Sequence, residues 1–333
     1  MHRVGIISGR ETFTRVLLEA LNRVPGIQAE WCQVTEPRND LPNPYRVIVD
    51  RLSHCHEYYQ AYLKHAVLTG TYVINNPFWF RADDKFFNYS LAARLGVAVP
   101  RTLLLPSREY DERVLEPDDL HNIRQPIPWE WLLQQVGGYP VILKPYDGYG
   151  WREVYRIDTP EQLLEVYEDS MMDVMMLQEF IDFEHYVRCF VVGKRHVLPT
   201  HYDPLERRYI LNHEHLTPDL GTRIVSDCVK ICTALGYDIN TVEFAIRKGV
   251  PYAIDFMNPV PEAKPEVITP HYFHWLVEKV RDMVVDYAFS GVRTPYRMTG
   301  DFPVNPLPAP AASRGWYPGS RLDHWPRRDP PPV

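Results

Sequence analysis

Cysteine is scarce in this sequence. There are five, Cys32, Cys55, Cys189, Cys228 and Cys232, an odd and scattered set. Such a set argues against a disulfide framework and for a reducing compartment. No apolar run approaches the roughly 18 residues that a membrane span requires. The opening Met-His-Arg-Val-Gly-Ile-Ile-Ser-Gly-Arg is too short in apolar residues for a secretory signal core. A cytoplasmic protein without a membrane partner is therefore expected. Basic charge is not in excess: the formal net charge is −7, which excludes a dominant basic surface and makes nucleic acid an unexpected partner. Neither a Gly-Lys-Ser/Thr phosphate loop nor a Gly-x-Ser-x-Gly nucleophile elbow occurs. Two histidine-rich triplets, His54-Cys55-His56 and His213-Glu214-His215, lack the second cysteine pair of a zinc motif and are not read as metal sites.

Proline, by contrast, is abundant. There are 31 in 333 residues, and nine fall in the last 33. This sets off residues 301–333 as a Pro-rich tail from a chain that is otherwise 45% apolar and 24% charged, a globular composition. Length alone suggests about two domains. Within residues 1–80, apolar runs at Val4–Ser8, Val47–Val49 and Tyr72–Ile74 alternate with helical patterns at Thr12–Arg23 and His56–Leu68. Strand alternating with helix predicts an α/β unit with a doubly wound parallel sheet. Beyond it, a helix is predicted over Ala82–Leu95, with Gly96 and Pro100 as stop signals. Residues 106–128 read as a charged, Pro-rich loop or insertion. Strands follow at Pro140–Lys144, Glu153–Ile157 and the run into Met176–Phe180, with a helix at Pro160–Ser170. Two hairpins are predicted, Tyr186–Val192 with His196–Thr200 across Gly193-Lys194, and Thr241–Ile246 with Tyr252–Phe256 across Lys248-Gly249. Helices are predicted over Arg223–Leu235 and His271–Phe289.

Several residues in these elements are suited to chemistry. Lys144 ends a strand beside a loop holding Gly148 and Gly150, where a cation and close backbone amides suit phosphate. Lys85 follows Asp83-Asp84 at a helix start. Arg188 interrupts an apolar strand, and a charge there is rarely buried without a partner. Glu243 and Asp255 lie on the two strands of one hairpin, with Asn258 close behind; such oxygen donors suit Mg²⁺. Arg51 ends a parallel strand, where open sheets bind ligands, and could meet a carboxylate substrate or simply cap the strand. Taken singly, each has an ordinary alternative: a surface lysine, a strand end, or a solvent-facing charge on a hairpin.

The order is more telling than any one item. Asp84-Lys85, Leu143-Lys144-Pro145 with Gly148 and Gly150, Gln178-Glu179-Phe180-Ile181, Arg188, Glu243-Phe244-Ala245, and Asp255 with Asn258-Pro259 succeed one another along the chain. In this order and spacing the sequence resembles the ATP-grasp superfamily, and within it the branch of glutathione synthetase and the RimK-like ribosomal-protein glutamate ligases. The resemblance runs from residue 1 to about residue 290. It implies a small N-terminal domain (1–80), then an α+β ATP-grasp domain (81–300). That domain would divide into a nucleotide lobe with its lid at about 100–180 and a C-terminal lobe at about 181–300.

The resemblance also implies roles. Lys85, Lys144, Gly148 and Gly150 would contact ATP phosphates. Gln178, Glu179, Phe180 and Ile181 would form the adenine hinge. Glu184, ahead of Asp182, would replace the ribose-binding acid, because Tyr186 stands where the family carries one. Arg188 would face the γ-phosphate or an acyl phosphate, and Arg208, with Asn212, would lie near phosphate and acceptor. Glu243, Asp255 and Asn258 would hold one or two Mg²⁺ ions, for which Mn²⁺ can substitute; here Asp-x-x-Asn replaces the commoner Glu-x-Asn. The implied reaction is ATP-dependent carboxylate–amine ligation through an acyl phosphate, releasing ADP, with a small-molecule or peptide carboxylate and an amine acceptor as partners. A homo-oligomer is compatible with the family. Two other readings stay open: a non-catalytic ATP-binding protein of this fold, and an ATP-grasp kinase.

Overall fold

The computed structural model describes residues 1–34, 37–79, 84–148, 152–212 and 214–295. The Pro-rich tail and Gly150 lie outside the described residues. The chain starts with a four-stranded parallel sheet of β1 (His2–Ile7), β2 (Ile27–Trp31), β3 (Val47–Asp50) and β4 (Tyr72–Ile74), in the order β2-β1-β3-β4. Strand alternation sends Val47 and Val49 to one face and Ile48 to the other, and both faces are covered. On the first, α1 (Thr12–Asn22) buries Phe13, Leu17 and Leu21. On the second, α2 (Glu57–Leu68) buries Tyr62, Leu63 and Ala66 against Ile48 and Val73. Each fully buried aliphatic side chain of this kind contributes about 1.5–3 kcal/mol. The edge strand β2 was not expected from the sequence.

A connecting helix, α3 (Lys85–Arg94), begins three residues later than predicted, because Asp84 caps it by accepting a hydrogen bond from the Phe87 N–H at 2.7 Å. An antiparallel sheet follows, made of β5 (Thr102–Leu105), β6 (Val141–Pro145), β7 (Tyr155–Ile157) and β8 (Met175–Glu179), in the order β5-β8-β6-β7. Two helices, α4 (Trp129–Val136) and α5 (Pro160–Asp169), complete this lobe. Its apolar cluster includes Leu105, Val136, Leu143, Ile157, Leu163 and Leu177.

The last sheet has five antiparallel strands: β9 (His185–Val192), β10 (His196–Asp203), β11 (Arg208–Ile210), β12 (Ile239–Arg247) and β13 (Val250–Asp255). Their order is β11-β10-β9-β12-β13. Both predicted hairpin turns form. Lys248-Gly249, with φ of 52° and 73°, is a two-residue turn between the paired Arg247 and Val250, whereas Gly193-Lys194, with φ of 61° and 59°, lies in a three-residue loop closed by the Val192–His196 pair. Helix α6 (Pro218–Leu235) starts five residues earlier than predicted, with Thr217 as its cap and Pro218 in its first turn. Helix α7 (Pro265–Ser290) is broken at Thr269 (φ 72°, ψ 150°), since Pro270 denies helical geometry to the residue before it. One apolar cluster joins α7 and β9 to β1, β3, β4 and α1. No helix among the described residues is long and apolar enough to cross a membrane.

Candidate active site between the two antiparallel sheets

A cavity of about 460 Å³ lies between the two antiparallel sheets. Its wall includes Lys85, Lys144, Gly148, Gln178, Glu179, Phe180, Ile181, Glu243 and Asp255. Residues up to 170 positions apart thus meet in one place, as the Lys85–Asp255 contact shows.

The acidic pair is set by a local irregularity. Along β12 and β13, Phe244 pairs with Ala253 and Ala245 with Tyr252, but Glu243 pairs with Asp255. One extra residue, Ile254, is therefore accommodated between them. Such a bulge re-aims the side chains beyond it, and here it brings Asp255 directly opposite Glu243. Without the shift, Glu243 would face Ile254. Asn258 joins the pair by donating Nδ2–H to Asp255 Oδ1 at 3.3 Å. Its own backbone N–H is held at 2.9 Å by Oδ1 of the fully buried Asn240, whose Nδ2 donates to the Phe256 carbonyl at 2.8 Å.

Cations surround these acids. Lys85 Nζ lies 3.1 Å from Asp255 Oδ2, and Arg188 Nε lies 3.2 Å from Glu243 Oε1. Arg188 sits directly opposite Glu243 in the β9–β12 register. Tyr186 also donates its hydroxyl to Glu243 Oε2. Lys144, 7% exposed on β6, donates to the Tyr89 hydroxyl at 2.9 Å, and that hydroxyl donates to the Ile254 carbonyl. Tyr89 thus links the lysine of one sheet to the acidic strand of the other.

The electrostatics follow from burial and these neighbours. Burial pulls the Lys144 ammonium down to about 8, against the restoring pull of Asp255 and Glu243. Burial also raises the Glu243 carboxyl, and Asp255 adds to this while Arg188 opposes it. At Asp255, burial pushes upward but Lys85 and Lys144 prevail, holding its carboxyl below the ordinary range. The pair is therefore asymmetric, with Asp255 the more firmly ionised acid.

The segment 178–181 is anchored by its own side chains. Gln178 donates Nε2–H to Thr102 Oγ1 at 2.8 Å, and Glu179 bridges Arg101 at 3.0 Å and Arg247 at 2.9 Å. Those two arginines hold the Glu179 carboxyl below its ordinary value against its partial burial.

Some expected residues lie elsewhere. Glu184 is not on the cavity wall; its carboxylate accepts the Lys248 backbone N–H at 3.0 Å, closing the hairpin turn, whereas Asp182 does line the cavity. Arg208 is exposed on β11, paired with Asp203, and the wall is formed instead by Pro204 and Leu205 of the same hairpin. Arg51 is buried at 7% exposure and is taken up by Glu11 at 2.6 Å and by the Pro261 carbonyl at 2.8 Å. It ties the N-terminal sheet to the last lobe and does not face the cavity.

No family model matches the chain. The RimK-domain ATP-grasp protein of Sphaerobacter thermophilus superposes with a TM-score of 0.57 at 19% identity, covering 86% of this chain and 99% of that one. This chain has the ATP-grasp fold. The D-alanine–D-alanine ligase of Bacillus anthracis gives a TM-score of 0.58 at 15% identity, over 87% of this chain and 98% of that one. In sequence, a probable alpha-L-glutamate ligase of Legionella pneumophila is 28% identical over 165 residues, 47% of this chain. The chain spans about half the length of the curated relatives it matches, 49% in this case. The RimK-domain protein and the D-alanine–D-alanine ligase thus share the fold of this chain to nearly the same degree.

Several further residues contribute to this cavity or to its acids. Tyr89 lies four residues after Lys85, on the same face of α3, and that spacing was a usable signal. Tyr186, which stands where the resemblance would put a ribose-binding acid, contacts Glu243 instead. Arg152 and Arg156 add two cations to the wall, and Arg156 stacks over the Phe180 ring at 4.7 Å. Nothing local marked Asn240.

Proposed function

We propose that this chain is an ATP-dependent carboxylate–amine ligase acting through an acyl phosphate. The carrying observation is the convergence of Lys85, Lys144 and Arg188 with Glu243, Asp255 and Asn258 beside one cavity. Paired acids alone would repel a polyphosphate, and lysines alone would not hold a metal. Together they match a nucleotide triphosphate carrying a hard divalent cation. Glu243, Asp255 and Asn258 offer the oxygen donors that Mg²⁺ prefers, and Mn²⁺ fits the same set. The metal, when bound, supplies charge neutralisation at the phosphates. The segment 178–181 would meet adenine through its backbone, with Asp182 in reach of the ribose.

The reaction has two steps. A carboxylate oxygen attacks the γ-phosphorus of ATP, the bond to the β-phosphate oxygen breaks, and ADP leaves. An amine then attacks the acyl carbon, inorganic phosphate leaves, and the amine proton passes to solvent. Lys85, Lys144 and Arg188 stabilise charge on the transferred group, so positioning and electrostatics carry the catalysis and no protein nucleophile is required. The names of the relatives, a glutamate ligase and a D-alanine–D-alanine ligase, favour amide formation over simple phosphorylation. The test is ADP release from Mg-ATP with pooled carboxylic acids, with and without pooled amines. Release requiring both supports the ligase. A stable phosphorylated product without any amine requirement identifies a kinase, and ATP binding without ADP release identifies a non-catalytic binder.

Lys144 gives this reading a pH signature. In the free protein its ammonium loses its proton near pH 8, and a neutral amine attracts phosphate weakly. ATP affinity is expected to fall as the pH rises through about 8. Phosphate binding restores the charge, so ATP binding just above that pH takes up a proton. Calorimetry in two buffers of different ionisation enthalpy measures the uptake. Lys144→Arg, permanently charged, should abolish it; uptake that persists in this variant would remove Lys144 from the phosphate site.

A further inference from the structure

Three histidines outside the ligase cavity come together in the fold. His185 opens β9, His201 lies on β10, and His215 lies in the connection from β11 to α6. One ring nitrogen from each falls within 4.8 Å of the others. The His201 and His215 rings are 4.3 Å apart between centroids, and the His185 and His215 rings 4.8 Å.

Their placement separates them from the nucleotide cavity. His201 pairs with Val187 across the β9–β10 ladder, so His185, two residues from Val187, shares its face as a diagonal neighbour. That face packs on α6 through Val187 and Cys189. Tyr186 and Arg188 alternate to the opposite face, where Glu243 lies.

We propose that His185, His201 and His215 bind one Zn²⁺ ion. Three imidazoles without a carboxylate are a donor set for a borderline transition ion and a poor one for Mg²⁺. Tetrahedral zinc with Zn–N bonds of about 2.0–2.1 Å places its nitrogens about 3.3 Å apart. The separation of up to 4.8 Å therefore closes by about 1.5 Å, within the reach of side-chain rotations. One ligand is already oriented. His201 Nδ1 lies 3.1 Å from the Asn212 carbonyl, which only accepts, so Nδ1 carries the proton and Nε2 presents its lone pair. This is the outer-shell contact that fixes the tautomer of a metal-ligating histidine. The connection is itself shaped, since Asn212 Oδ1 accepts the Glu214 N–H at 2.8 Å. The fourth coordination position is left to water. Bound zinc would pin the β11–α6 connection to the base of the hairpin whose turn, Pro204 and Leu205, borders the nucleotide cavity.

The test uses the full, untagged chain stripped of metal. Equilibrium dialysis against a zinc buffer, with elemental analysis, should find about one zinc per chain, and zinc should raise the melting temperature. Cobalt in its place should show the intense visible bands of a four-coordinate ion. His201→Ala and His215→Ala should each weaken zinc binding by roughly 100-fold or more and lose the thermal shift. His185→Gln, changed at the strand's start, should do the same and serves if an alanine variant misfolds by circular dichroism. His56→Ala controls for the other histidine-rich triplet and should bind as the parent does. Failure of the parent chain to take up zinc, or zinc retained by the histidine variants, overturns the proposal. Neither result bears on the ligase reading, which rests on the other face of the sheet.

Discussion

Asp255→Ala is expected to lower Mg-ATP turnover by roughly 10²–10³-fold or more, while circular dichroism and thermal unfolding stay close to the parent. The structural reason for a large catalytic and small folding effect is position. The Asp255 side chain ends the last strand of its sheet and is 31% exposed. It is nonetheless the firmly ionised member of the acidic pair, held so by Lys85 and Lys144. Asp255→Asn separates charge from shape. The amide oxygen can still accept from Asn258 Nδ2 and from the Met257 N–H, now 3.3 and 3.4 Å away. If charge toward a divalent ion is the point, the asparagine variant should lose activity nearly as fully as the alanine one, and its rate should no longer respond to Mg²⁺ concentration. Full activity in either variant would overturn the metal assignment.

Arg188→Met is expected to cost roughly 3–5 kcal/mol of stability, because it strands a buried carboxylate. Glu243 is 3% exposed, and Arg188, with its side chain 15% exposed, is its opposing charge. The sign of the pH dependence follows. The Glu243 carboxyl is already raised by burial and by Asp255, with Arg188 opposing. Removing Arg188 raises it further. A carboxyl whose folded pKa lies above its unfolded one is tolerated when protonated and becomes a liability as pH rises through the folded value. The stability deficit of Arg188→Met, read from denaturant melts against the parent, should therefore be small at acidic pH and grow toward neutrality. Adding Glu243→Gln should recover most of it. A deficit independent of pH, or one that the double variant leaves unchanged, would mean that Arg188 acts through packing on Tyr202, whose ring it overlies at 5.3 Å.

Much of this arrangement was legible from the sequence, for physical reasons that differ by element. The parallel strands around Val4, Val47 and Tyr72 are buried on both faces and read as unbroken apolar runs. Edge strand β2 alternates and has only two buried residues, so Ile-Gln-Ala-Glu-Trp gives a weak signal. Short β11, with one buried residue, is weaker still. The two hairpins announced themselves through alternation and their Gly-Lys and Lys-Gly turns. In the candidate site, the sequence placed Glu243 and Asp255 on one hairpin, but strict alternation could not foresee the bulge that sets them opposite each other. The resemblance points to Glu184 in place of the ribose acid, yet a nearby backbone N–H, that of Lys248, takes its carboxylate. The histidine cluster was invisible for a different reason. Its members come from two strands and a later connection, with no fixed spacing to betray them.

The apolar cluster that joins the first sheet to α7 and β9 bears on how the molecule is assembled as a polymer. It makes the two ends of the described chain a single folding unit, stitched further by Arg51 reaching the Pro261 carbonyl and by Asn75 reaching the carbonyls of Ile239 and Pro259. The lobe of β5 to β8, with an apolar cluster of its own, is then topologically a guest inserted into that host. Lys144 belongs to the guest, and Glu243 and Asp255 belong to the host. The seam between them is bridged at Tyr89, so the charged groups of the candidate site assemble only where an inserted body closes against the one that carries it.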